Sequence, residues 1–157
     1  MFMTIYEANK KAKAISEEID ELFESMRVGC TSLRAEGTEK PKSDYDFGGI
    51  VQKIESKIQE LSDLKNAINN FNNTHVLPSG LTVGQAIFEI AVRNRYLRYV
   101  KAMTKVQASK QKELSGVIYY EEANYDIAEA KEVAKNTQAV IANLQTEIDS
   151  ANMTNNL

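Results

Sequence analysis

Apolar residues in this chain recur in steps of three and four. Ile5, Ala8, Ala12, Ile15, Ile19, Leu22 and Met26 form one series. Phe47, Ile50, Val51, Ile54, Ile58, Leu61, Leu64, Ile68 and Phe71 form a second, and Ile127, Ala130, Ala134, Thr137, Ile141, Leu144, Ile148 and Ala151 another. Such steps average close to the 3.6-residue turn of an α-helix, so each series falls on one narrow stripe. A strand would need a period of two. Packed helices are therefore the constraint that every other feature must fit.

Local signals mark where the helices begin and end. Thr4 followed by Glu7 has the spacing of a reciprocal capping box, and Thr82 followed by Gln85 repeats it. Asp126 with Glu129 opens the last helix. The first helix runs for about 24 residues, about 36 Å, and ends near Arg27, before Gly29. The stretch 28–45 contains Gly29, Gly37 and Pro41 and has no periodicity, which makes it a long connection. The second helix ends in the run NNFNNT, where asparagine tolerates the left-handed conformation that stops helices. Val76 to Leu81 reads as an extended piece with a tight turn through Leu77, Pro78, Ser79 and Gly80.

Helix three has Val83, Ala86, Ile87, Ile90, Leu97 and Val100 as its expected buried stripe, interrupted by Arg93 and Asn94. Beyond it, KAMTKVQASKQKE is helical in propensity but polar nearly all round. Continued to Leu114, the helix would be about 50 Å long. Ser115-Gly116 breaks it, and Val117–Tyr120 is the one convincing strand candidate. The tail ANMTNNL is polar and expected to be loose unless docked. The expected fold is mainly α in a single domain over residues 1–157. It has four long antiparallel amphipathic helices, bundle-like or coiled-coil-like, with a small β element near 117–120.

Composition narrows the class. With 157 residues, 43% hydrophobic and 26% charged, the chain can bury a core and lies outside the disordered range. A net charge of −3 exerts no global pull on nucleic acid or anionic membranes. The longest uncharged span, 66–88, carries runs of asparagine with Pro78 and Gly80, unlike the roughly 20 apolar residues of a membrane helix. The start MFMTIYEANKK lacks the pattern of a signal peptide. A single cysteine, Cys30, suits a reducing compartment. The expectation is a cytoplasmic protein with no membrane span.

Two features point to self-association. A lone strand leaves its ladder groups unpaired, and a 50 Å helix outreaches its neighbours. A symmetric homo-oligomer whose strands pair across an axis would meet both needs. Helix three also carries Arg93, Arg95, Arg98, Lys101, Lys105, Lys110 and Lys112 against Glu89 and Glu113. Four of these (Arg98, Lys101, Lys105, Lys112) would share a stripe about 60° wide. No nucleic-acid reading motif accompanies them, so the expected role is steering assembly against the acidic first and fourth helices, with no nucleic-acid partner.

Catalytic and metal patterns are missing. One histidine and one cysteine fall short of a zinc site, and no Glu-x-x-His pair is present for a di-iron bundle. Glu121, Glu122 and Asp126 are explained by surface charge and capping. There is no phosphate loop and no nucleophile elbow. The expectation is therefore a non-enzyme with no catalytic residue, metal or cofactor. The candidate binding residues are Asn69, Asn73, Thr74, His75, Arg93 and Asn94. Polar groups on a buried stripe cost several kcal/mol unless hydrogen-bonded. The natural partners of Arg93 and Asn94 are the backbone groups of the Asn69–His75 turn. Either these residues tie down a connector, or the turn and helix three enclose a polar pocket for a small ligand or ion. The connector is the first reading.

The segments MTIYEANKKAKAISEEIDEL, INNFNNTHVLPSGLTVGQAIFEIAVRN and LQTEIDSANMTNNL, in this order, resemble a family of small bacterial proteins of unknown function. Some members of that family carry the label septicolysin. The resemblance runs over nearly the whole chain. Its most specific part is Ile68 and Asn69, Asn73 and Thr74, the Gly80 turn, Thr82 and Arg93. The family usually has an acidic residue in place of Asn94 and a tryptophan in place of Met153. The resemblance implies an all-α core with a small strand element and a symmetric assembly, a hexamer included, but no established activity. The label suggests a membrane-active alternative, in which amphipathic helices or oligomeric strands would reorganise on a bilayer.

Overall fold

A computed structural model describes residues 2–157. The chain is mainly helical, in the order α1 (Ile5–Arg27), α2 (Phe47–Thr74), α3 (Val83–Thr104), β1 (Ser109–Leu114), β2 (Val117–Glu122) and α4 (Ile127–Thr154). It divides into two compact units: one takes the chain up to Phe71 together with Asn152–Leu157, the other takes Asn72–Ala151.

In the first unit, the capping box at the start of α1 forms as the spacing requires. Thr4 Oγ1 accepts from the Glu7 amide at 3.2 Å, and Glu7 Oε2 accepts from the Thr4 amide at 2.9 Å. Donation from the Thr4 amide, and then from the Thr4 hydroxyl, holds the Glu7 carboxyl below its usual range. Ile5, Ala8, Ala12, Ile15 and Ile19 are buried. Ala8 and Ala12 cluster with Ile68 of α2, and Met3, Leu61 and Leu64 pack around them. Lys11 Nζ lies 2.9 Å from Glu60 Oε1, and Lys57 Nζ lies 2.6 Å from Glu18 Oε2. Contacts met in ascending order along α1 thus fall in descending order along α2.

The tail, expected to be loose unless docked, is docked in this unit. The Ile5 amide donates to the Asn155 carbonyl at 3.0 Å and the Leu157 amide to the Met3 carbonyl at 2.9 Å, with Thr4 bridged to Asn156. One backbone donor that α1 leaves unsatisfied at its start, the Ile5 amide, is thus met by the far end of the chain. The connection after α1 is exposed almost throughout and is held near its end by the Tyr45 hydroxyl, which donates to the Met26 carbonyl.

In the second unit, Leu97, Val100 and Ala134 form a cluster with Val133 and Ile141 packed against it. Here the expectation of a 50 Å helix fails. α3 ends at Thr104, and Ser109–Leu114 is a strand that pairs antiparallel with β2, from Ser109 opposite Glu122 to Leu114 opposite Val117. Ser115 and Gly116 both have positive φ, 51° and 77°, as a two-residue primed turn demands. That turn, with the β-branched and aromatic residues of β2, outweighs the weak helical preference of SKQKEL. The strand therefore finds its partner within the chain, which removes strand pairing across an axis as a reason for assembly. Lys112 leaves the helical stripe and lies with its Nζ 2.6 Å from Glu121 Oε2 across the hairpin. It holds the Glu121 carboxyl below its usual range. Every hairpin position is exposed.

Candidate functional site

The asparagine run, expected as a turn, belongs to the last turns of α2, and the connector that follows it is tied by backbone bonds. Val76 bridges Thr82, and the Leu77 amide donates to the Leu81 carbonyl at 2.8 Å. The Gly80 amide closes the inner turn on the Leu77 carbonyl at 2.8 Å, with Pro78 in the second position where its fixed φ is favoured. Leu77, 3% exposed, anchors the turn in the core. The Ser79 amide donates to Glu147 Oε2 of α4 at 3.1 Å. The His75 carbonyl accepts from the Val83 amide at 3.1 Å, and Thr82 and Gln85 form the expected capping box. A Cβ added to Gly84 would stand 3.2 Å from the Asn72 carbonyl oxygen and 3.3 Å from Asn73 Oδ1. The first turn of α3 thus passes the end of α2 at a distance that suits glycine.

The candidate residues are spread over this arrangement. Asn69 is exposed on the part of α2 that belongs to the first unit, and Asn73 and Thr74 are exposed at its end. His75 is half-buried. Arg93 is half-buried too, but its Nε and Nη2 both reach Glu89 Oε1 at 2.7 Å, one turn back on its own helix. Glutamate four residues before arginine is the favoured order for such a pair. The pair answers the need that sequence reasoning assigned to the turn. Asn94 is exposed, and Ile87, expected in the buried stripe, is 48% exposed. The buried side of α3 is Val83, Ala86, Leu97 and Val100, with Ile90 half-buried.

Of the six candidates, Asn73 and Arg93 are brought together. They line a groove of about 730 Å³ along the first half of α3, whose floor is Leu81, Phe88, Val92 and Tyr96. Thr74, His75 and Asn94 are not part of its lining. Phe88, 72% exposed, begins a second apolar stripe that continues through Val92, Tyr96, Tyr99 and Met103, all exposed. Its steps of four, four, three and four carried the signal in the sequence. It was hidden because α3 bears apolar residues on two sides, and spacing alone does not say which side a protein fills from within. Among the described residues, no cluster of three His, Cys, Asp or Glu side chains could hold a metal, and no helix is long and apolar enough to cross a membrane.

No family model and no curated protein matches the chain. A solved structure does: a conserved, functionally unknown protein from Corynebacterium diphtheriae is similar in fold over 100% of this chain and 99% of its own, with a TM-score of 0.71 at 16% identity. At that identity the likeness extends to the fold alone.

Proposed function

We propose that this chain is a non-enzymatic, cytoplasmic helical protein that works as a homo-oligomer, with coiled-coil-like antiparallel packing of its helices. The observation that carries the reading is the amount of surface left uncovered, 11795 Å². A compact monomer of 17.6 kDa exposes about 7,900 Å², and two separate compact bodies of half that mass about 9,500 Å². The excess over the larger figure is about 2,300 Å², to which the exposed connection 28–45 and the exposed hairpin also contribute; a permanent interface removes roughly 1,000–2,500 Å² from each partner. Apolar side chains make up much of what is exposed, Phe88, Tyr99 and Tyr120 among them.

Native mass spectrometry of the protein purified from its host tests this directly. A closed oligomer without extra mass supports it; a monomer at tens of micromolar removes it. The second reading, a module that holds a small polar ligand or ion, draws on Asn73, Thr82 and Arg93 in the groove. A reproducible extra mass per subunit, lost in Arg93→Ala, would favour it. The membrane-active reading attached to the septicolysin label is tested by dye leakage from anionic vesicles. No leakage at micromolar protein eliminates it.

A further inference from the structure

We infer that the groove on α3 is filled by α3 of a second copy, running antiparallel across a two-fold axis near Val92. The inference rests on the self-assembly reading and says where and how two copies meet. Phe88, Val92, Tyr96, Tyr99 and Met103 lie within a sector of about 80° at 100° per residue. Leu97 and Val100, which are buried, lie on another side of the helix. A helix apolar on two sides is built to be covered from both.

The pattern of the stripe selects its occupant. With Leu81 at its start it extends to Met103, and its midpoint is Val92. An antiparallel two-fold at that point sets Leu81 against the second copy's Met103 and Phe88 against its Tyr96, and Val92 meets its own counterpart. In this register the aromatic side chains meet one another on either side of a valine pair at the axis. The charges obey the same symmetry. Glu89 and Arg93 lie on one flank of the stripe, paired at 2.7 Å. Antiparallel helices bring like flanks together, so the second copy's Arg93 approaches Glu89 and its Glu89 approaches Arg93. The two pairs become a ring of four alternating charges. A parallel pair would bring unlike flanks together, so that Glu89 met the second copy's Arg95 but Arg93 met its Arg98. The flank pair is neutral in sum, which suits a like helix better than a strongly charged peptide. The contact is isologous, so it closes at two copies and leaves other surfaces for any higher order.

The test uses the full chain with Cys30, which is exposed, replaced by serine. Adding Val92→Cys places one thiol beside the proposed axis, and mild oxidation at micromolar protein should link most chains into covalent dimers. Asn94→Cys, exposed on a different side of α3, should link few. Val92→Glu should halve the subunit count while leaving the helical circular dichroism unchanged, because Val92 is 44% exposed in the protomer. An oligomer that survives Val92→Glu and fails to cross-link at Val92→Cys overturns this geometry and leaves self-assembly standing. A wild-type monomer overturns both.

Discussion

α1 and α3 are nearly equal in length, 23 and 22 residues, and each opens on a threonine with a complete capping box. They differ in how apolar residues are laid around the axis. In α1, Ile5, Ala8, Ala12, Ile15 and Ile19 are buried on one side, and Glu17, Glu18, Asp20, Glu21 and Glu24 are exposed elsewhere. In α3, the buried series Val83, Ala86, Leu97 and Val100 is joined by an exposed one from Phe88 to Met103. A helix with one apolar side is completed by its own unit. One with two apolar sides needs something more. Apolarity says that a residue is suited to burial; it does not say whether the cover comes from the same chain.

The contrast can be broken by experiment. Ile15 is 2% exposed, and Ile15→Ala should cost about 2–4 kcal/mol of unfolding free energy in urea titration. A cost below 1 kcal/mol would mean that α1 is not finished from within. Thr4→Ala and Thr82→Ala should each cost about 1 kcal/mol, because the two caps are built alike. Unequal costs would move part of the difference from apolar pattern to helix initiation. At Gly84, alanine gains up to about 1 kcal/mol of helix propensity but brings a Cβ to 3.2 Å from the Asn72 carbonyl oxygen. A net loss of less than about 1 kcal/mol is expected, and a gain would show that the end of α2 yields easily. Val92→Ala should change the stability of dilute protein by under about 0.5 kcal/mol, with a cost that rises with protein concentration as association is coupled to folding. A cost independent of concentration would sink the two-sided account of α3.

The smallest effect is one of pH. Hydrogen bonds from Lys11 and then Lys57 hold the Glu60 carboxyl below its ordinary value of 4.5. A carboxyl depressed in the folded state contributes stability above 4.5, and that contribution is lost as pH falls through the lower folded value. Urea midpoints measured from pH 6 to pH 3 should therefore fall at the acid end, and less steeply in Glu60→Gln. Glu60 pairs α1 with α2, so the acid effect belongs to the unit that α1 completes.

Much of the fold was legible because its causes are local. The caps at Thr4 and Thr82, the stop at Arg27 and the buried side of α1 follow from residues within one or two turns. The hairpin was missed in half. Ser115-Gly116 reads as a break and Val117–Tyr120 as a strand, but SKQKEL becomes a strand only through pairing with β2, which no local preference of its residues encodes. The candidate site failed for a related reason. Asn94 falls on a buried stripe only if Ile87 is counted into it. With Ile87 exposed the stripe shifts around the helix and Asn94 turns outward, while Arg93 stays at the stripe's margin, half-buried, and meets Glu89. Composition leaves the tail open between loose and docked: it is docked by backbone bonds to the start of α1, which side-chain character does not reveal.

That docking has a consequence for the order of events during synthesis. Asn72–Ala151 is one unbroken run, whereas the other unit is completed by Asn152–Leu157, which are translated after that run. At 5–20 residues per second, roughly, the 150 residues between the partners of the Thr4–Asn156 bridge take on the order of ten seconds to appear. Through that interval α1 waits without the backbone partner that the tail supplies to its first turn; α3 appears about half-way through it and α4 only near its end. The first residues made are among the last to be secured.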